Sequence, residues 1–93
     1  MNGQIKVLLA ARFREIAGQR EILEKIGSDT TLEDILRTLA KRHGRDFNQI
    51  IDSKTGQISS ENWVMVNGKS VRRIDIELKE NDVVVITVPA GGG

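Results

Sequence analysis

An α+β fold, with one long helix laid across a mixed sheet of four or five strands, is what the sequence predicts, and three observations predict it. One stretch carries a helical stripe with a start signal and a stop signal. Several short β-rich runs surround it, separated by Gly, Asn and charged turns. The chain has 93 residues and no cysteine, so a single small domain must stand on an apolar core without disulfide or metal staples.

Ile5-Lys6-Val7-Leu8-Leu9 is β-rich and bounded by Gly3 and a charged segment, which predicts the first strand. Ala11 to Ala17 follows with Phe13, Ile16 and Ala17 at i, i+3 and i+4, a short amphipathic helix that Gly18 can close. Arg20 to Ile26 alternates imperfectly, with Ile22, Glu24 and Ile26 on one face, and suits an edge strand in a hairpin with the first. Thr30-Thr31-Leu32-Glu33 reads as a capping box in which Thr30 caps and Glu33 reaches back. Leu32, Ile35, Leu36 and Leu39 then form one apolar stripe, and Lys41, Arg42 and His43 suit the carbonyl end before Gly44 takes a left-handed stop.

From Arg45 to Glu61 the pattern loosens into a long, partly ordered connection, with one helical turn at Phe47, Ile50 and Ile51 and a turn cluster at Asp52 to Gly56. Trp63 to Val66 is a strand that ends at Asn67-Gly68, a tight hairpin turn, and returns through Lys69-Ser70-Val71. After Ile74 to Leu78 and the polar turn Lys79 to Asp82, Val83 to Val88 is a continuous β-branched run, as a fully buried central strand requires. Pro89 ends its pairing, having no amide hydrogen. The remaining residues are Ala90-Gly91-Gly92-Gly93, so residues 1–90 read as one domain and 91–93 as a flexible glycine tail.

Composition excludes several functions. Absence of cysteine removes thiolate zinc sites, iron–sulfur ligation and a cysteine nucleophile. A net charge of +1 and three aromatic residues argue against nucleic acid. The apolar run Val7 to Ala11 is too short for a signal-peptide core or a membrane span, so a soluble, cytoplasmic protein, monomeric when free, is expected. The sole histidine, His43, reads as a surface residue at a helix end, because one imidazole without partners makes neither a triad nor a metal site. Dispersed carboxylates such as Glu33/Asp34 and Glu80/Asp82 are explained as helix-start and turn residues. The basic groups Arg12/Arg14, Lys41/Arg42/Arg45 and Lys69/Arg72/Arg73 read as solvated faces and at most docking contacts. The protein is therefore not expected to be an enzyme, and no cofactor or metal of its own is expected.

The glycine tail remains. A run of glycines without a following helix cannot cradle a phosphate as a dinucleotide loop does, and as a frayed end it would mean nothing. Here it follows a buried strand and a stiff Pro89, so a rigid domain would offer a thin strip without side chains and a carboxylate at Gly93. A partner enzyme could thread that strip through a narrow channel without meeting a Cβ. A carboxylate is a poor electrophile. It must first become an acyl-adenylate, at the cost of ATP and on another enzyme, after which sulfide, a thiol or a lysine amine can displace AMP.

Ile5 to Gly18, with its strand running into Ala11-Arg12-Phe13-Arg14-Glu15-Ile16-Ala17-Gly18, resembles the opening of the molybdopterin synthase small subunit family. Thr31 to Leu36, Val64-Met65-Val66-Asn67-Gly68, and Leu78-Lys79-Glu80-Asn81-Asp82-Val83 leading to the terminal glycines agree with it in order and spacing. The resemblance implies a β-grasp, ubiquitin-like fold. It implies an adenylating enzyme of the ubiquitin-activating type that converts Gly93 to the acyl-adenylate and then to a thiocarboxylate. The large subunit of molybdopterin synthase would take that sulfur for the dithiolene of molybdopterin. Archaeal proteins similar to the family, the small archaeal modifier proteins, are also joined through the terminal glycine to lysines of target proteins. Arg14 aligns with the arginine that the family uses toward its activating enzyme, and Phe13, Val64, Val66 and Pro89 are expected to share in docking. The end Thr87-Val88-Pro89-Ala90-Gly91-Gly92-Gly93 lacks the aromatic residue and first proline of bacterial members and has an extra Gly91, which keeps the modifier role open beside the synthase role. The alternative from another class is a β-grasp interaction module whose tail is inert and whose sheet face binds a partner.

Overall fold

The computed structural model describes residues 3–89. Its elements in chain order are β1 (Gly3–Leu9), α1 (Arg12–Ala17), β2 (Glu21–Ile26), α2 (Leu32–His43), α3 (Arg45–Asn48), β3 (Trp63–Val66), β4 (Lys69–Val71) and β5 (Val83–Thr87). The strands form one mixed sheet in the order β2-β1-β5-β3-β4, in which β1 and β5 run parallel and every other neighbouring pair antiparallel. A parallel pair needs a long crossover. The chain between β1 and β5 supplies it, and α2 lies within that crossover.

Period-two alternation decides which side of the sheet is covered. Ile5, Val7 and Leu9 from β1, Ile22 and Ile26 from β2, Val64 from β3, and Val84 and Ile86 from β5 are buried. They share one core with the α2 stripe Leu32, Ile35, Leu36 and Leu39. Each fully buried aliphatic side chain stabilises by about 1.5–3 kcal/mol relative to exposure, so this single layer of contacts dominates the fold. The unbroken β-branched run of β5 is not buried on both faces as its sequence predicts. Val84 and Ile86 are buried, whereas Val83, Val85 and Thr87 are half-buried, because the helix covers only one side.

The helix start lies one residue beyond the position read from sequence. Thr31, not Thr30, is the N-cap: its Oγ accepts from the Asp34 amide at 3.3 Å, and the Asp34 carboxylate accepts from the Thr31 amide at 2.9 Å. Two Thr-x-x-acid frames overlap here, and long-range pairing selects between them. The Leu32 and Glu33 amides, which lack partners inside the helix, donate to the carbonyls of Ile76 and Ile74, each at 2.8 Å. Thr30 Oγ instead accepts from the Gly27 amide, and Glu33 pairs with Arg37 along the helix. At the other end Gly44 has positive φ but ψ of −150°, outside the left-handed helical region that the sequence suggests, while its amide still donates to Ala40.

The 45–61 connection is more ordered than its sequence implies. Phe47 and Ile50 are buried, Ile51 bridges Ile58, and the Ile58 amide donates to the Arg72 carbonyl. His43 is not a solvated residue either. Its ring lies 5.2 Å from that of Phe47, and its Nε2 is buried without a hydrogen-bond partner among the described residues. The hairpin at Asn67-Gly68 forms as expected, with φ of 52° and 85°. The Asn67 side chain adds a tie that the dipeptide alone does not reveal: its Oδ1 accepts from the Val83 amide and its Nδ2 donates to Asp82, both at 2.9 Å, fixing the hairpin to the start of β5. On the edge strand, Glu24 is the charged member of the buried face, and Arg42 at the end of α2 reaches it at 2.7 Å.

Ala11 links β1 to α1 with φ 55° and ψ −137°, a conformation that a Cβ disfavours. Ala11→Gly is therefore expected to raise unfolding stability by about 1 kcal/mol, measured by urea denaturation, because relief of strain outweighs the added freedom of the unfolded chain.

Candidate functional site

The end of β5 is where the fold meets the tail. This strand is held on both sides up to its last residues, Leu9 pairing with Ile86 and Trp63 with Thr87, and the Ala10 amide donates to the Ile86 carbonyl at 3.1 Å. Val88 packs against the core and Pro89 is half-buried. The predicted tail residues Gly91, Gly92 and Gly93 lie outside the described residues.

Strand direction decides which side chains gather there. Because β1 is parallel to β5, its end delivers α1 to the end of β5. Because β3 is antiparallel, it delivers its first residue, Trp63, and Asn62 just before it. Arg12 joins the two: its Nη2 donates to Asn62 Oδ1 at 2.6 Å while its guanidinium lies 4.8 Å from the centre of the Phe13 ring. Trp63 Nε1 donates to Ser70 Oγ across to β4. Between β3, β4 and the exit lies an open hollow of about 370 Å³, whose lining includes Asn62, Trp63, Val64, Ser70, Arg72 and Pro89. Its rim is cationic and hydrogen-bonding, with an indole as its apolar surface. Such a surface can dock a partner.

The face of the sheet opposite α2 continues this surface. Leu8, Val85 and Met65 lie side by side in register and are half-buried, and Trp63 is 37% exposed next to Met65 along the strand. The resolved pKa shifts lie elsewhere, on the exposed pair Arg73 and Asp75. A two-point contact at 2.6 and 3.1 Å holds the Asp75 carboxyl below its ordinary value and raises the Arg73 guanidinium, with hydrogen bonding the largest cause of each shift. Among the described residues no group of three or more His, Asp or Glu side chains is placed to hold a metal ion.

The predicted docking residues separate into two groups. Arg14 is exposed on α1, and Pro89 lines the hollow. Phe13 and Val64 are both 0% exposed, Val64 forming part of the buried wall of the hollow, and Val66, partly buried, packs against the core. Phe13 meets Phe47 edge-to-face, with ring centres 5.1 Å apart, because the short helix turns its one large apolar residue inward. Val64 and Val66 lie on the covered side, which leaves Trp63 and Met65 for the open one. Strand alternation contains that information, but only once the covered side is known. Arg12 and Arg72 stood out in the sequence only as members of small basic groups, and Asn62 gave no local signal; distant segments bring them to this end of the sheet.

Residues 7–93 match the ThiS family. The chain is 28% identical to the small archaeal modifier protein 3 of Haloferax volcanii over 93 residues, covering 97% of this chain and 99% of the relative. A putative molybdopterin converting factor, subunit 1, from Pyrococcus furiosus superposes with a TM-score of 0.72 at 29% identity, over 95% of this chain and 99% of that one. The crystal structure of SAMP1 from Haloferax volcanii gives 0.76 at 23% identity, over 98% and 100% of the two chains, a likeness of fold. The β-grasp, ubiquitin-like architecture implied by the sequence resemblance is thus the architecture of this chain.

Proposed function

The chain belongs to the ThiS family, and on that premise we propose that it is a ubiquitin-like sulfur carrier and protein modifier activated at the Gly93 carboxylate. One observation carries the reading: the central strand, paired with β1 as far as Ile86 and with β3 as far as Thr87, leads through Pro89 into Ala90-Gly91-Gly92-Gly93. A rigid body thereby presents a glycine segment that a second protein can thread.

In the proposed reaction a Gly93 carboxylate oxygen attacks the α-phosphorus of ATP on an adenylating enzyme of the ubiquitin-activating type, and pyrophosphate leaves. Hydrosulfide then adds to the acyl carbon; a C–S bond forms, the bond to the AMP oxygen breaks, and the chain carries a thiocarboxylate. A lysine amine attacking the activated acyl carbon would give an isopeptide bond instead. The first outcome serves the large subunit of molybdopterin synthase or transfer-RNA thiolation, the second serves target-protein lysines. The chain's own part is to bind and to present. Arg14, Pro89 and the Trp63/Met65 face supply docking, and the activating chemistry is the partner's.

The test is intact-mass measurement after incubation with ATP, sulfide and the cognate adenylating enzyme. Exchange of one oxygen for sulfur on the C-terminal fragment is expected. A chain that forms no adenylate and gains no sulfur refutes the proposal. Tryptic digests of cellular protein searched for lysines that carry the segment from Glu80 to Gly93, since no Lys or Arg follows Lys79, then distinguish conjugation from sulfur delivery.

A further inference from the structure

β2 is the end strand of the sheet. The Leu9 amide donates to the Arg20 carbonyl at 2.8 Å, so Leu9 and Arg20 are a hydrogen-bonded pair of the antiparallel β1–β2 ladder. Such pairs alternate along the ladder. Ile22 and Glu24 therefore direct their backbone groups to β1, and Glu21, Leu23 and Lys25 direct theirs to the open edge. Nothing among the described residues hydrogen-bonds to that edge. The same three residues have exposed side chains on the face opposite α2, and Leu23, at 55%, is the most exposed large apolar residue described.

An antiparallel partner strand must align outward-facing residues with outward-facing residues. If the partner is a second β2 related by a two-fold axis, centring on Leu23 places Leu23 against its own copy and Glu21 against Lys25 on both sides. Every pair in that register is favourable on the exposed face. A shift of two residues one way sets Glu24 against Glu24, and a shift the other way sets Glu21 against Leu23; either separates the leucines. On the covered face of the Leu23-centred register Glu24 stands opposite Ile22, and its charge is already answered by Arg42 at 2.7 Å. In the single chain Glu21 has only a loose contact with Lys6, 3.9 Å away with both side chains about half exposed, so it is available to a closer partner.

We propose that two copies of this chain pair through antiparallel β2 strands centred on Leu23, joining two five-stranded sheets into one. This replaces the free monomer expected from sequence. The end of β5 is two strands away from the shared edge, so pairing does not cover the strand that precedes the tail. The contact is short and belongs with small, reversible interfaces, so the dimer is expected to form and dissociate between about 10 µM and 1 mM.

Sedimentation equilibrium across that range tests the proposal, with thermal melts to verify folding of each variant. Glu21→Lys and Lys25→Glu each turn two attractive pairs into two repulsive ones and are expected to weaken the dimer about tenfold or more. The double variant restores opposite charges and is expected to dimerise as the parent does. Amide exchange at Leu23 should slow as concentration rises, while the Ile22 amide, already paired to β1, should not change. A parent that stays monomeric to about 1 mM overturns the proposal. So does a dimer indifferent to both single variants, or a monomer whose β2 amides respond only to an added extended peptide.

Discussion

Removal of Gly93 is expected to lower ATP-dependent activation of the chain by at least about a hundredfold without changing its thermal midpoint. The arithmetic is geometric. One residue of extended chain is about 3.5 Å, so a tail ending at Gly92 holds its carboxylate that far short of the α-phosphorus. Reacting atoms must approach to about 3–3.5 Å, and a displacement of about 1 Å already costs about a hundredfold. Stability should not follow, since the core is built from residues between Ile5 and Ile86. Gly92→Val is the companion variant. It retains chain length but adds a branched side chain where a narrow channel must close, and a comparable loss is expected. Pyrophosphate exchange with the cognate adenylating enzyme reads both variants. Activation of the shortened chain at the parent rate would remove Gly93 from the mechanism.

Phe13→Ala is expected to cost about 3–5 kcal/mol of stability, out of a total of about 5–15 for a domain of this kind. The ring is completely buried, with Phe47 5.1 Å away edge-to-face and the Arg12 guanidinium 4.8 Å from its centre. Truncation would leave a cavity between α1 and the α3 segment and release the contact that orders Arg12. For a domain of this length the thermal midpoint should fall by about 15–30 °C, whereas Phe13→Leu, which leaves most of the volume filled, should fall much less. The experiment separates a core residue from the docking residue that the sequence suggested. A docking residue would leave the midpoint unchanged and weaken only partner binding.

Some features needed no tertiary information. The α2 stripe, the Asn67-Gly68 turn, the edge position of β2 and the stop at Pro89 follow from side-chain spacing and backbone chemistry within a few residues. These forces act locally, so a linear reading captures them. The glycine run after a β-branched strand was equally plain, and it directed attention to the tail before any fold was known.

Elsewhere the local signal was ambiguous. Thr30 and Thr31 both begin acceptable capping boxes, and the choice fell to hydrogen bonds from Leu32 and Glu33 to a segment more than forty residues away. Phe13 and Val64 are apolar residues expected to share in docking, yet apolar character alone does not say which side faces a helix. That assignment required α2 to settle on one face, burying Val64 and leaving Trp63 and Met65 on the other.

Local sequence thus determined most of the elements and their main boundaries, because those depend on propensity and covalent geometry. Only the tertiary structure decided the sheet order, the covered face, the gathering of Arg12, Asn62 and Trp63 at the end of β5, and the pattern of free backbone groups on β2. These depend on contacts between residues far apart in the chain, whose energies no local window contains.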